Sequence, residues 1–94
     1  MTYHIFSTKR FEKSLAQIVR SGKFKRRDVE EVLATLASGH SLPASYRDHA
    51  LKGDLSDRRE CHVRGDILLI YRKDNDVLVL LDLDIGTHHE LFGS

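Results

Sequence analysis

Apolar residues alternate with polar ones from Tyr3 to Ser7 and switch to helical spacing after Thr8. The first pattern predicts a short strand, with Tyr3, Ile5 and Ser7 on one side and His4 and Phe6 on the other. Phe11, Leu15, Ile18 and Val19 then form one helical stripe, and Gly22 offers a stop. A second stripe, Val29, Val32, Leu33 and Leu36, predicts a helix over 25–38 with Asp28 in its first turn and Gly39 at its end. The link between them is short, so an antiparallel helical hairpin is expected. Residues 40–57 carry the only proline, Pro43, and read as an irregular crossing. Three strands should follow, over 58–64, 67–72 and 77–85, joined by turns at Arg64-Gly65-Asp66 and Lys73-Asp74-Asn75-Asp76. Helices first and strands last argue an α+β fold, an N-terminal strand and helical hairpin packed on a small antiparallel β-sheet. The sheet face away from the helices is then the place for a ligand.

Composition narrows the class. A chain of 94 residues, 40% hydrophobic and 31% charged, is the size of one domain, 1–94, and too apolar for disorder. No apolar run approaches the length of about 18 that marks a membrane span, and Met1 to Phe6 lacks the pattern of a signal peptide. Cys61 is the single cysteine, which excludes an internal disulfide and fits a reducing compartment. A cytoplasmic location is expected.

The net charge of +1 conceals a segregation. Residues 1–27 hold eight Lys or Arg against one acid, whereas residues 28–94 hold seven against thirteen. A basic block of this kind suits a surface that meets phosphates or an acidic partner, and it is equally the composition of solvated helix faces.

Candidate chemistry lies in the strand half. Strand alternation places Glu60, His62 and Arg64 on one face and Cys61 and Val63 on the core face. Asp66 lies at the adjoining hairpin end, and His49 sits in the irregular crossing beside Arg47, Asp48 and Lys52. The final segment holds Gly86, Thr87, His88, His89 and Phe92. Histidine suits proton transfer near neutral pH, its unperturbed pKa being about 6.5. An aromatic four residues after His88 can stack on a nucleobase. Cutting RNA without a metal needs a base for the 2′-hydroxyl, an acid for the departing oxygen, a cation for the phosphate and a clamp. These residues supply each type, although His62 also reads as a surface group, Phe92 as a core plug and Tyr71 as core. Close-spaced metal ligands, phosphate-cradling glycine loops and the nucleophile elbow of serine hydrolases do not occur, so neither metal nor cofactor is expected.

Four blocks then carry a family resemblance: Tyr46-Arg47-Asp48-His49-x-Leu51-x-Gly53, Arg59-Glu60-Cys61-His62-Val63, Asp66-Ile67-Leu68-Leu69-Ile70-Tyr71, and Gly86-Thr87-His88-x-x-Leu91-Phe92-Gly93. The sequence resembles the RelE/ParE superfamily of bacterial toxins, and within it the YafQ-type mRNA interferases. The resemblance implies a RelE-like fold and a toxin that cleaves mRNA in the ribosomal A site. It also implies a cognate antitoxin that wraps the toxin in a complex. By the same resemblance His88 is the expected principal proton-transfer residue, with Asp66 and His49 as base and proton network. His62 and Glu60 would orient the phosphate and its neighbours, and Phe92 would brace a base.

Many relatives carry a basic residue shortly before the Gly-Thr-His segment, where this chain has Asp82 and Asp84. Lys52, Arg58, Arg59 or Arg64 is therefore expected to supply the RNA-binding cation. Two other readings stay open: a ParE-like inhibitor of DNA gyrase with no nuclease activity, and a catalytically weak module that only binds an antitoxin.

Overall fold

The computed structural model describes residues 2–22 and 24–86. Five strands, β1 (His4–Ser7), β2 (His49–Ala50), β3 (Arg59–Arg64), β4 (Ile67–Asp74) and β5 (Val77–Ile85), form one sheet in the order β1-β5-β4-β3-β2. Two helices, α1 (Lys9–Arg20) and α2 (Arg26–Ala37), precede the last four strands. The α+β arrangement expected from the sequence is present. The sheet is mixed, because β1 joins β5 in parallel while the remaining ladders are antiparallel.

Thr8 explains the turn from strand to helix. Its hydroxyl accepts from the Phe11 amide at 3.2 Å, capping α1, and donates to the Leu80 carbonyl at 2.8 Å. One side chain thus starts the helix and ties it to β5. Gly22, at φ 82°, supplies the left-handed residue that stops α1. The core forms where Phe11, Leu15, Val29, Val32 and Leu36 meet Cys61, Leu69, Tyr71, Leu78 and Leu80. Each helical stripe read from the sequence therefore faces the sheet.

Two irregularities set which side chains share a face. Between His62 and Arg64 the β3–β4 register slips, so that His62 opposes Leu68 but Arg64 opposes Ile67. Ile67 belongs to the core under the helices, and Arg64 goes with it, reaching Asp28 of α2 at 3.2 Å. Simple alternation placed Arg64 beside Glu60 and His62; the bulge moves it to the helical side. The second slip, between Ile70 and Tyr71, leaves Leu81 as the extra residue of β5. Past it, Asp82 receives the Ser14 hydroxyl at 2.8 Å and the Arg10 guanidinium at 3.2 Å. Its charge is answered by α1.

Candidate active site

The structure brings His49 and Glu60 together. They are registered partners across the β2–β3 ladder, with His49 Nε2 3.5 Å from Glu60 Oε1. The crossing that read as irregular thus contains a two-residue strand that delivers a histidine to the sheet. His49 is half exposed, at 50%, whereas the Glu60 side chain is 6% exposed, so the acid is held inside and the ring faces solvent.

The other ring nitrogen decides the proton arrangement. His49 Nδ1 lies 2.6 Å from the Arg47 carbonyl oxygen, which can only accept. Nδ1 therefore carries hydrogen, and a neutral ring turns a lone pair on Nε2 toward the carboxylate. Nε2 is then the ring nitrogen that faces the buried Glu60 carboxylate, 3.5 Å away. An imidazole set against a buried carboxylate is suited to general acid–base work.

His62 follows Glu60 by two on the same strand and precedes the bulge, so it lies on the same face, about 7 Å along the sheet. It is half-buried and lines an open depression of about 530 Å³ with Ser45, Tyr46, Arg47, Val63, Arg64 and Gly65. Asp66 is exposed in the two-residue turn at the end of β3 and β4. Its carbonyl accepts from the Gly86 amide, and a Cβ on Gly86 would meet that oxygen at 2.9 Å. The glycine is needed for this close approach. His88, His89 and Phe92 lie outside the described residues.

The expected RNA-binding cations are differently placed from one another. Arg59 is hydrogen-bonded to Asp48 at 3.1 Å and Arg64 to Asp28 at 3.2 Å, whereas Arg58 Nε lies 3.8 Å from the exposed Asp57 carboxylate with no hydrogen bond to it. Lys52 precedes the short turn Gly53–Leu55 and has no carboxylate partner among the described residues. The face itself is not bare: Leu68 and Glu60 are buried on it, so the residues open to a ligand cluster at the β2 edge and the β3–β4 turn.

A supporting network escaped sequence reading. Asp48 Oδ1 accepts from the Tyr71 hydroxyl at 2.7 Å and from Arg59 Nε at 3.1 Å. Burial, then the hydrogen bond to Asp48, pushes the Tyr71 hydroxyl pKa well above its ordinary value. Burial works to lower the pKa of Arg59, but the Tyr71 hydrogen bond and then the Asp48 carboxylate together raise it above its ordinary value. Tyr71 offered one signal, since a buried tyrosine in an apolar run still needs a partner for its hydroxyl. Arg47 offered none.

Among the described residues no group of three or more His, Cys, Asp or Glu converges to hold a metal ion. Nor is any described helix long and apolar enough to cross a membrane.

Relatives share this architecture. A copper-bound mutant toxin from Helicobacter pylori superposes with a TM-score of 0.86 at 34% identity, covering 97% of this chain and 100% of that one. The Escherichia coli DinJ–YafQ toxin–antitoxin complex matches with a TM-score of 0.82 at 26% identity, covering 99% of this chain and 100% of that one. In sequence, the mRNA interferase toxin YafQ of Escherichia coli K12 is 46% identical over 52 residues, 55% of this chain and 54% of the relative. The aligned segment thus spans about half the length of that relative. Residues 3–93 match the family described as bacterial toxin of type II toxin–antitoxin system, YafQ. Nearly the whole chain is covered by that match, the strand that carries His49 and the hairpin that carries Asp66 included, and it belongs to the YafQ family of bacterial toxins.

Proposed function

We propose that this protein is an mRNA interferase, a ribosome-dependent endoribonuclease that cleaves mRNA in the A site and is neutralised by a cognate antitoxin. The reading draws on the relative named mRNA interferase toxin YafQ and on the relative solved with its antitoxin DinJ. The observation that carries it is the His49–Glu60 contact, with Nδ1 of the ring held by the Arg47 carbonyl, on the same face as His62.

In the proposed reaction a base removes the 2′-hydroxyl proton and the 2′-oxygen attacks the adjacent phosphorus. The bond from phosphorus to the 5′-oxygen breaks, that oxygen takes a proton, and a 2′,3′-cyclic phosphate remains. His49, in contact with Glu60, and Asp66 serve the proton removal and its relay. His62 orients the phosphate. His88 is assigned the proton delivered to the 5′-oxygen, and Phe92 the bracing of a base. Chain connectivity supports the grouping: His88 follows Gly86 by two residues, which spans at most about 7 Å, and Gly86 is bonded to Asp66.

Primer extension on mRNA in a translating extract tests this reading. Codon-phased cuts are expected with the native protein. Replacing His49, His62 or His88 by Ala should lower them on the order of 10²–10⁴-fold, the usual contribution of a positioned acid or base. Cutting that continues in chelator supports a metal-independent reaction. Intact mRNA with the native protein would overturn the proposal.

A further inference from the structure

Arg47 holds an unusual place in the site. It closes the 3₁₀ turn Ala44–Tyr46 in the left-handed region, φ 50° and ψ 43°, which an arginine rarely adopts. Strained backbone of this kind persists where surrounding contacts enforce it. Here they do so on both sides. The Arg47 amide donates to the Ala44 carbonyl at 3.0 Å, and the next residue, Asp48, is pinned by Tyr71 and Arg59. The resulting kink aims the Arg47 carbonyl at His49 Nδ1, 2.6 Å away.

The side chain meets a different demand. With Arg64 it is one of the two guanidinium groups lining the open depression that contains His62, and no carboxylate lines that depression among the described residues. Arg64 is already held by Asp28 at 3.2 Å. Arg47 has no ion pair among the described residues and is exposed. The concavity beside the His49–Glu60 pair is therefore electropositive, and its unengaged fork comes from the residue that also fixes His49. A guanidinium presents two parallel donors that match two phosphate oxygens.

We propose that Arg47 is the substrate-binding cation of this site, gripping the RNA phosphate next to His62 with its side chain while its carbonyl fixes the hydrogen on His49. The proposal rests on the RNA-cleaving reading and assigns that site's phosphate contact. It replaces Arg59 and Arg64 in that role, since each of those is hydrogen-bonded to a carboxylate of this chain. The pairing of two tasks in one residue also separates them for experiment, because substitution removes the side chain and leaves the carbonyl.

The test compares native protein, Arg47→Gln and Arg47→Lys in single-turnover cleavage of mRNA on programmed ribosomes, with melting curves for each. Gln should slow cleavage on the order of 100-fold, as expected for loss of one donor group at a reacting phosphate. Lys should recover a tenfold share of that loss, and the pH profile of the Gln variant should match the native one because the carbonyl persists. Native rates in Arg47→Gln would overturn the proposal. Equal impairment of the Lys and Gln variants would overturn it too, since charge would then be irrelevant. A displaced pH profile in Arg47→Gln would show the side chain acting through His49 and would also overturn it. Native protein that leaves the mRNA whole would remove the nuclease reading itself, an outcome distinct from the others because it requires no variant.

Discussion

Tyr71, which has no exposed surface, donates its hydroxyl hydrogen to Asp48 at 2.7 Å and so anchors the segment before His49 to the middle of the sheet. Removing that hydroxyl with Tyr71→Phe leaves a partly buried carboxylate short of one donor. A hydrogen bond to a charged group contributes about 1.5–3 kcal/mol, so a loss of that size is expected in urea denaturation. Cleavage should fall further than stability explains, because the Arg47 carbonyl loses its fixed direction. Unchanged unfolding and unchanged activity together would show the contact to be dispensable.

Asp28 joins α2 to β3. Its carboxylate accepts from the Lys25 amide at 3.0 Å and from Arg64 at 3.2 Å, and the first of these contacts leads in lowering its pKa below the ordinary 3.8. A depressed folded value adds stability above pH 3.8 that disappears as pH falls through the lower value. Asp28→Asn should therefore unfold at lower urea than the native chain at pH 7, and the gap should narrow in acid below 3.8. A gap that stays constant across this range would show that the charge plays no part.

Gly86→Ala places a methyl group 2.9 Å from the Asp66 carbonyl oxygen. That is backbone, which cannot swing aside, so the end of β5 must shift. Overpacking of this kind typically costs about 1–3 kcal/mol, visible as a lower melting temperature. Cleavage should drop with it, since Gly86 leads into the segment that carries His88. An alanine variant with native melting and native cleavage would show that β5 tolerates the displacement.

Cys61 lies fully buried, and burial pushes its thiol pKa up to about 12. A thiolate-selective reagent at pH 8 should leave the folded protein unmodified and react at once in denaturant. Rapid labelling of the native protein would show β3 opening readily.

The parts of the molecule governed by periodicity were legible in the sequence. The stripes Phe11-Leu15 and Val29-Val32-Leu36 and the strand Val77–Ile85 sit where their spacing places them. Parallel pairing of β1 was not legible, because alternation says nothing about a strand's partner or direction. The bulge that turns Arg64 toward Asp28 was hidden for a related reason: counting by twos assumes an unbroken register. The contact of His49 with Glu60 joined residues whose types were singled out, but the two-residue strand that pairs them is too short to show a pattern. Arg47 was passed over because its importance lies in a backbone angle, and no residue type announces that.

The Thr8–Leu80 bond spans 72 positions, and β1 finds its hydrogen-bonding partner only in the last strand of the described chain. Translation at about 5–20 residues per second keeps those segments apart for several seconds. Until β5 emerges, β1 has no strand to pair with and the core lacks Leu78 and Leu80. Closure of the sheet on its β1 side thus waits for β5. A surface that depends on the finished sheet is therefore absent until β5 has been made.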